Sequence, residues 1–183
     1  TDIKYPFLMK ICSPDIREKA EIDCVRTGLS SEIEVRQAFD DIISDAKIYD
    51  EDADIHGVVV QEYIPDAREV VMGIAQDRSF GPTVRFGLGG IWLEILEDVS
   101  YKLAPVSKEE AEDMIREIDG YPVLSGVRGD NPVDFDALVD IIKKMSEIPI
   151  EYGLVSEVDL DPVFSSDREA VVIDAEITLK QLA

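Results

Sequence analysis

GVVVQEYIPDAREVVMGIAQDRSFGPTVRFGLGG, residues 57–90, is the stretch on which the fold turns. Three runs dense in Val, Ile and aromatic residues, GVVVQEYI (57–64), REVVMGIAQD (68–77) and PTVRFGL (82–88), are separated by short turn-forming connections. Such residues suit a pleated, half-buried surface, and short connections make neighbouring strands antiparallel. The stretch therefore predicts three consecutive strands of one antiparallel sheet. It ends in FGLGG (86–90), with three glycines in four positions among apolar neighbours. Two readings of those glycines stand side by side: a sharp turn in a sheet, or a backbone that comes close to a phosphate. The spacing is not that of a P-loop, and the run lacks the βαβ setting of a dinucleotide site.

Upstream, YPFLMKIC (5–12) reads as a strand and the polar, non-periodic SPDIREKAEIDC (13–24) as a loop. SSEIEVRQAFDDIISDAK (30–47) reads as a helix, with Ser31 and Glu34 as a capping box. Val35, Ala38, Phe39, Ile42, Ile43 and Ala46 supply its buried stripe. The charged connector IYDEDADI (48–55) is the expected boundary between two lobes, residues 1–56 and 57–183. Downstream, Ser107 and Glu110 mark another helix start, with Val106 and Ala111 as a hydrophobic staple and Met114, Ile115 and Ile118 continuing the stripe. A further helix runs from an Asp134 cap through Leu138, Ile141, Ile142 and Met145, with Lys143 and Lys144 expected near its C-terminus. Two strands, GLVSEVDLDPVF (153–164) and EAVVIDAEITL (169–179), close the chain. The class is α/β, of the α+β type, with a largely antiparallel sheet.

The 183 residues carry 40 Asp+Glu against 18 Lys+Arg, a formal charge of −22, while 45% of them are hydrophobic. That is enough apolar content to bury a core, and the acidity argues against nucleic acid or an anionic membrane surface as partner. There is no signal peptide and no apolar run long enough to span a bilayer. Cys12 and Cys24 fit no metal or redox spacing and read as two reduced thiols of a cytoplasmic protein. The single histidine, His56, reads as structural.

The last two strands hold the most informative chemistry. Alternation puts Glu157, Asp159 and Asp161 on one face of SEVDLDP, and Asp174 and Glu176 on one face of VVIDAEI. The short connection SSDRE (165–169) pairs the strands, so up to five carboxylates face the same way. A solvated polar face is one reading of them. The other is a hard divalent cation, Mg²⁺ or Mn²⁺, bound together with substrate phosphates, because opposed like charges destabilise a sheet unless something neutralises them. In that case the metal supplies the positive charge that lets so acidic a chain approach a phosphate.

Taken together, YPFLMKICSPDI, VVVQEYIPDAREVVMGIAQDRSFGP, VRFGLGGIWLEILEDVSYKLAP, SGVRGDNPVD and EVDLDP…VVIDAEI resemble the ATP-grasp subunit or domain of ADP-forming acyl-CoA synthetases (NDP-forming acetate–CoA ligases), relatives of succinyl-CoA synthetase. The resemblance runs from about Tyr5 to Ile177. It implies a two-lobed ATP-grasp fold with ATP or ADP held between the lobes. It places Lys10 at the nucleotide phosphates, Glu62 at the inter-lobe hinge beside adenine and ribose, and Glu69 nearby. Gly87, Gly89, Gly90 and Glu94 match the glycine-rich segment beside the phosphate-transfer site. Asp161 and Asp174 match the two Mg²⁺-ligand positions, the first commonly asparagine in the family. Arg128 and Gly129 match a further signature. The implied reaction converts acyl-CoA, ADP and phosphate into acid, CoA and ATP, through an acyl phosphate on a CoA-binding alpha subunit or domain and a phosphohistidine relay. A hetero-oligomer follows from that division of labour.

The sequence departs from the family in one loop. Glu18 stands at a histidine position that serves as a second relay station in related enzymes, and Asp23 and Cys24 replace paired glycines. Glutamate forms no phosphohistidine, and its charge repels an arriving phosphate. Glu176 replaces a basic residue and Lys102 an arginine, which loses the planar fork. The helix–strand segment that precedes the YP…K strand in the family has no counterpart here, so the N-terminal lobe is expected to be incomplete, either as a fragment or completed by another polypeptide. A degenerate, non-catalytic ATP-grasp domain, regulatory or partner-binding, is the alternative that these replacements imply.

Overall fold

The computed structural model describes residues 4–16, 19, 22–127 and 129–180, excluding the side chain of Glu94. The chain divides into two compact units, Thr1–Pro65 and Asp66–Ala183. The division falls later than the 56/57 boundary expected from the charged connector, because the strand after that connector pairs back into the first unit.

In the first unit, β1 (Phe7–Cys12) lies between β2 (Val25–Leu29) and β3 (Gly57–Glu62), antiparallel to both. The strand beginning at Gly57 is thus a neighbour of β1, not the first of a three-strand run reaching residue 88. Helix α1 (Glu32–Tyr49) starts where its cap predicts, with the Ser31 side chain accepting from the Glu34 N–H. The Glu34 carboxylate reaches one residue further back than a capping box requires, to the Ser30 N–H at 2.6 Å. Ala38, Ile42 and Ala46 of α1 pack on Met9, Ile11, Ile16, Cys24 and Leu29. Val35 and Ile43 are only partly buried beside them, and Phe39 is 44% exposed. A sheet of three short strands covers the centre of the helical stripe and leaves its flank open.

The second unit is built on a six-stranded antiparallel sheet. A hairpin of β4 (Arg68–Asp77) and β5 (Gly81–Leu88) is flanked by β6 (Val99–Leu103) on the β5 side and β7 (Val155–Ser165) on the β4 side. β8 (Ala170–Val172) and β9 (Ala175–Leu179) both pair with β7, so the expected last strand, 169–179, is interrupted at Ile173 and Asp174. Val70, Met72, Ile74, Val84, Phe86, Leu88, Val158, Leu160 and Val163 turn to one face and form the core. Helices α3 (Lys108–Glu117) and α5 (Phe135–Glu151) cover that face with Ala111, Met114, Ile115, Leu138, Ile142 and Met145.

The caps of both helices are as read: Ser107 and Glu110 form a reciprocal box, and the Asp134 carboxylate accepts from the Ala137 N–H at 3.0 Å. α5 runs on through Pro149, which places Lys143 and Lys144 in its interior and not in its last turn. Two short helices, α2 (Ile91–Leu96) after the glycine run and α4 (Tyr121–Leu124), complete the unit. Among the described residues, no helix is long and apolar enough to cross a membrane.

Candidate functional site

The face of the second unit's sheet turned away from α3 and α5 carries the polar chemistry. Where Val70, Met72 and Ile74 face the helices, alternation turns Glu69 and Gly73 the other way. Gly73 lies directly between Arg85 of β5 and Asp159 of β7. Those two side chains meet across it in an ion pair of 2.6 Å. A Cβ on residue 73 would stand 2.7 Å from Arg85 Nε and 3.2 Å from Asp159 Oδ1, so the pair occupies the space that glycine leaves. Neither Arg85 nor Gly73 stood out in the sequence. The signal available was that Arg85 alternates with Val84 and Phe86 and so must face away from the core.

Two residues along β7 stands Asp161. Leu160 pairs with Ala175, so the next step of the antiparallel register brings Asp161 opposite Asp174. Asp174 sits in the break between β8 and β9, where its Oδ1 accepts from the Ala175 N–H at 3.0 Å and the Ile173 N–H donates to the Pro162 carbonyl at 3.0 Å. Asp161 is open to solvent on one side, yet the protein atoms around its carboxyl desolvate it and raise its pKa above the ordinary 3.8. The Asp159 carboxylate raises it further, Arg85 opposes, and Asp174 adds to the rise. The two expected metal-ligand positions therefore converge.

The wider set of five acids does not act as one cluster. Asp159 faces Glu176 across the β7–β9 pair, but Asp159 is held by Arg85. Among the described residues, no three acidic, histidine or cysteine side chains converge on a metal-sized point. Two opposed carboxylates are what Mg²⁺ uses when phosphate oxygens and water complete its octahedron. The donor set fits that ion: hard oxygens only, and like charges whose mutual repulsion a cation relieves.

The glycine run packs against protein. A Cβ on Gly87 would come 2.6 Å from the Asp98 carbonyl oxygen. On Gly89 it would come 2.7 Å from Glu69 Cγ, and on Gly90, at φ +56°, 2.8 Å from Glu69 Oε2. The Gly89 N–H donates to the Glu69 carbonyl at 2.8 Å, and the Gly90 backbone N–H lies near enough to the Glu69 carboxylate to favour its charged form. Burial raises the Glu69 pKa above 4.5, Asp161 raises it further, and the Gly90 N–H pulls it back. Glu69 is thereby seated in the glycine run and coupled electrostatically to Asp161.

The remaining expected residues fall elsewhere. Lys10 lies on β1 between Val25 and Val59, on the sheet face away from Met9 and Ile11. Glu62 ends β3 opposite Phe7, and strand parity gives it the other face, that of Met9. Both belong to the first unit. Asp23 takes a left-handed backbone at φ +54°, a conformation that suits glycine. Cys24 is fully buried, its Sγ 3.7 Å from the Ile42 carbonyl, and burial raises its thiol pKa. Lys102 pairs with Glu117 at 2.7 Å. Glu18, Arg128 and the side chain of Glu94 lie outside the described residues.

Residues 1–179 match the family model of the ATP-grasp domain. The chain is 44% identical, over 97% of its length and 77% of the relative's, to subunit beta of ADP-forming acetate–CoA ligase I from Pyrococcus furiosus. Acetyl-coenzyme A synthetase 1 from Ca. Korarchaeum cryptofilum, solved with coenzyme A, Ca-AMPCP and HgCl⁺, superimposes with a TM-score of 0.84 at 40% identity, covering 98% of this chain and 78% of that one. A second structure of that synthetase, with coenzyme A and Mg-AMPPCP, gives a TM-score of 0.79 at 38% identity, over 97% and 78% of the two chains. An antiparallel sheet with opposed acids, a glycine run folded around Glu69 and these likenesses agree, and the chain belongs to the ATP-grasp domain family, among whose members it is similar to the beta subunits of ADP-forming acetate–CoA ligases.

Proposed function

We propose that this chain is the nucleotide-binding component of an ADP-forming acyl-CoA synthetase, passing a phosphoryl group between a phosphohistidine on a CoA-binding alpha subunit and ADP. The observation that supports it most is the convergence of Asp161 and Asp174 on the face that also holds Glu69. In this reading Asp161 and Asp174 hold Mg²⁺. Bound there, the ion neutralises phosphate charge and fixes the phosphoryl oxygens. Lys10 binds nucleotide phosphates as a compact cation, and Glu62 orients the nucleoside. Glu69, packed against Gly89 and Gly90, keeps the glycine run and the acid pair in fixed relation, so that positioning, which dominates phosphoryl transfer, is built in before substrate arrives.

Calorimetry with MgADP and MgATP tests the reading. Binding is expected to require the metal, and Asp174→Asn to weaken it by roughly tenfold, about 1.4 kcal/mol. An unchanged affinity removes Asp174 from the site, and no binding to the folded, complete protein removes the reading. A second reading is a domain that binds nucleotide without turning it over. Cys24, where the family resemblance implies glycine, is packed beneath α1 and so serves the core of the first unit. Incubating the full complex with acyl-CoA, ADP and phosphate decides between the two, because ATP appears only under the first.

A further inference from the structure

The acid-bearing face holds more carboxylates than the proposed metal uses, and among the described residues an ion pair sets Asp159 apart from Asp161 and Asp174. Asp159 and Asp161 are two residues apart on β7 and project from the same face. Asp159 has Glu176 directly opposite it, as Asp161 has Asp174. By position alone, Asp159 is a third carboxylate beside the Asp161–Asp174 pair. Its Oδ1 is instead 2.6 Å from the guanidinium of Arg85, two strands away. The pair reaches across β4 only because residue 73 has no side chain. Both partners are partly shielded, with side-chain exposures of 31% and 37%, so the pairing is less screened than a fully exposed one.

We propose that Arg85, seated over Gly73, is a positioning residue that holds Asp159 out of the divalent-cation site, leaving the ion two protein carboxylates and open positions for nucleotide phosphates. This rests on the metal reading of Asp161 and Asp174. A cation bound by three carboxylates is held without nucleotide and has fewer positions to offer a phosphate, whereas a cation bound by two depends on the phosphates to complete its shell. Arg85 therefore makes metal binding conditional on nucleotide. An arginine suits the task because it stays charged throughout the working pH range and its planar fork fixes the carboxylate in one orientation.

The test uses Mn²⁺ alone, titrated into the full-length protein in its native assembly and followed by electron paramagnetic resonance of the free ion, with MgADP calorimetry run in parallel. Arg85→Met is expected to tighten nucleotide-free Mn²⁺ binding by roughly tenfold, as ligand charge count sets cation affinity. Adding Asp159→Asn to that variant returns the affinity to the parental level, while Asp159→Asn in the parental background changes it by less than about twofold. Arg85→Gln, which keeps a polar head but no charge, behaves as Arg85→Met and guards against a packing artefact. If Arg85→Met and Arg85→Gln leave Mn²⁺ affinity unchanged, or the gain survives Asp159→Asn, the inference is overturned. If the parental protein binds no MgADP in any metal, it is the functional reading that fails, and the two failures are distinguishable.

Discussion

The glycine run and the acidic hairpin lie on the same face of one sheet, yet they stand in opposite relations to the rest of the protein. The glycine run is filled: Gly87 abuts the Asp98 carbonyl, and Gly89 and Gly90 enclose Glu69. The acidic hairpin is unfilled: Asp161 and Asp174 face each other in the open, and desolvation and neighbouring acids raise the charge cost of Asp161, with Arg85 opposing. From sequence both looked phosphate-facing. The difference shows that a dense glycine pattern records close approach of any kind, including to a buried carboxylate, whereas opposed acids on a strand pair create an electrostatic demand that the fold leaves unmet. The first region should therefore respond to substitution in stability, the second in ligand binding.

Gly87→Ala presses hardest on this distinction. The added Cβ meets the Asp98 carbonyl, which is backbone and cannot rotate away, so β6 must shift relative to β5. A loss of about 3 kcal/mol is expected from overpacking of this kind, read as a lower urea midpoint with unchanged slope. An unaltered midpoint breaks the comparison by showing that the glycine run has slack. Gly73→Ala sharpens it from the other side. Its new Cβ meets first the Arg85 side chain, which can swing aside, and then Asp159 Oδ1 and the Val158 carbonyl at 3.2 Å. About 1 kcal/mol is expected, with Mn²⁺ binding altered in the same direction as in Arg85→Met. A stability loss as large as that of Gly87→Ala would place residue 73 with the filled region.

What was legible in the sequence was local or periodic. The Ser107–Glu110 box and the Asp134 cap are satisfied within three residues, and the opposed acids follow from alternation on two strands joined by a short turn. What was missed needs register or distance. VRTGL (25–29) gives no alternation and contains Gly28 at φ +70°, so β2 becomes evident only through its pairing with β1. Arg85 and Asp159 are separated by 74 residues, and only the order β5-β4-β7 makes them neighbours across Gly73. Glu69 was expected near the nucleotide, but its seat in Gly89–Gly90 depends on the β4–β5 hairpin aligning Val70 with Leu88. Phe39 satisfied the helical stripe and stayed exposed because the stripe is wider than the three strands beneath it.

The smallest expected effect has the opposite sign to the others. Asp161 and Glu69 have raised carboxyl pKa values in the folded protein, first through desolvation and then through neighbouring acids. A carboxyl whose folded pKa lies above its unfolded value binds its proton more tightly in the native state. Its contribution to stability is fully present below the unfolded pKa and is lost as pH rises through the folded pKa. At neutral pH the ionised Asp161 is therefore a cost to the metal-free protein. Asp161→Asn should stabilise it near pH 7, by well under about 1 kcal/mol because solvent screens so open a group. The gain should vanish below the ordinary carboxylate value of 3.8, where both versions are neutral. Saturating Mg²⁺ with ADP should narrow the difference at pH 7, since the ionised Asp161 then recovers its cost as binding free energy. Thermal melts of both proteins at pH 7 and in the acid range, with and without MgADP, check all three points. A variant less stable than the parent at pH 7 without metal would mean that Asp161 is satisfied by the protein itself, and the hairpin would then belong with the glycine run as a packed region.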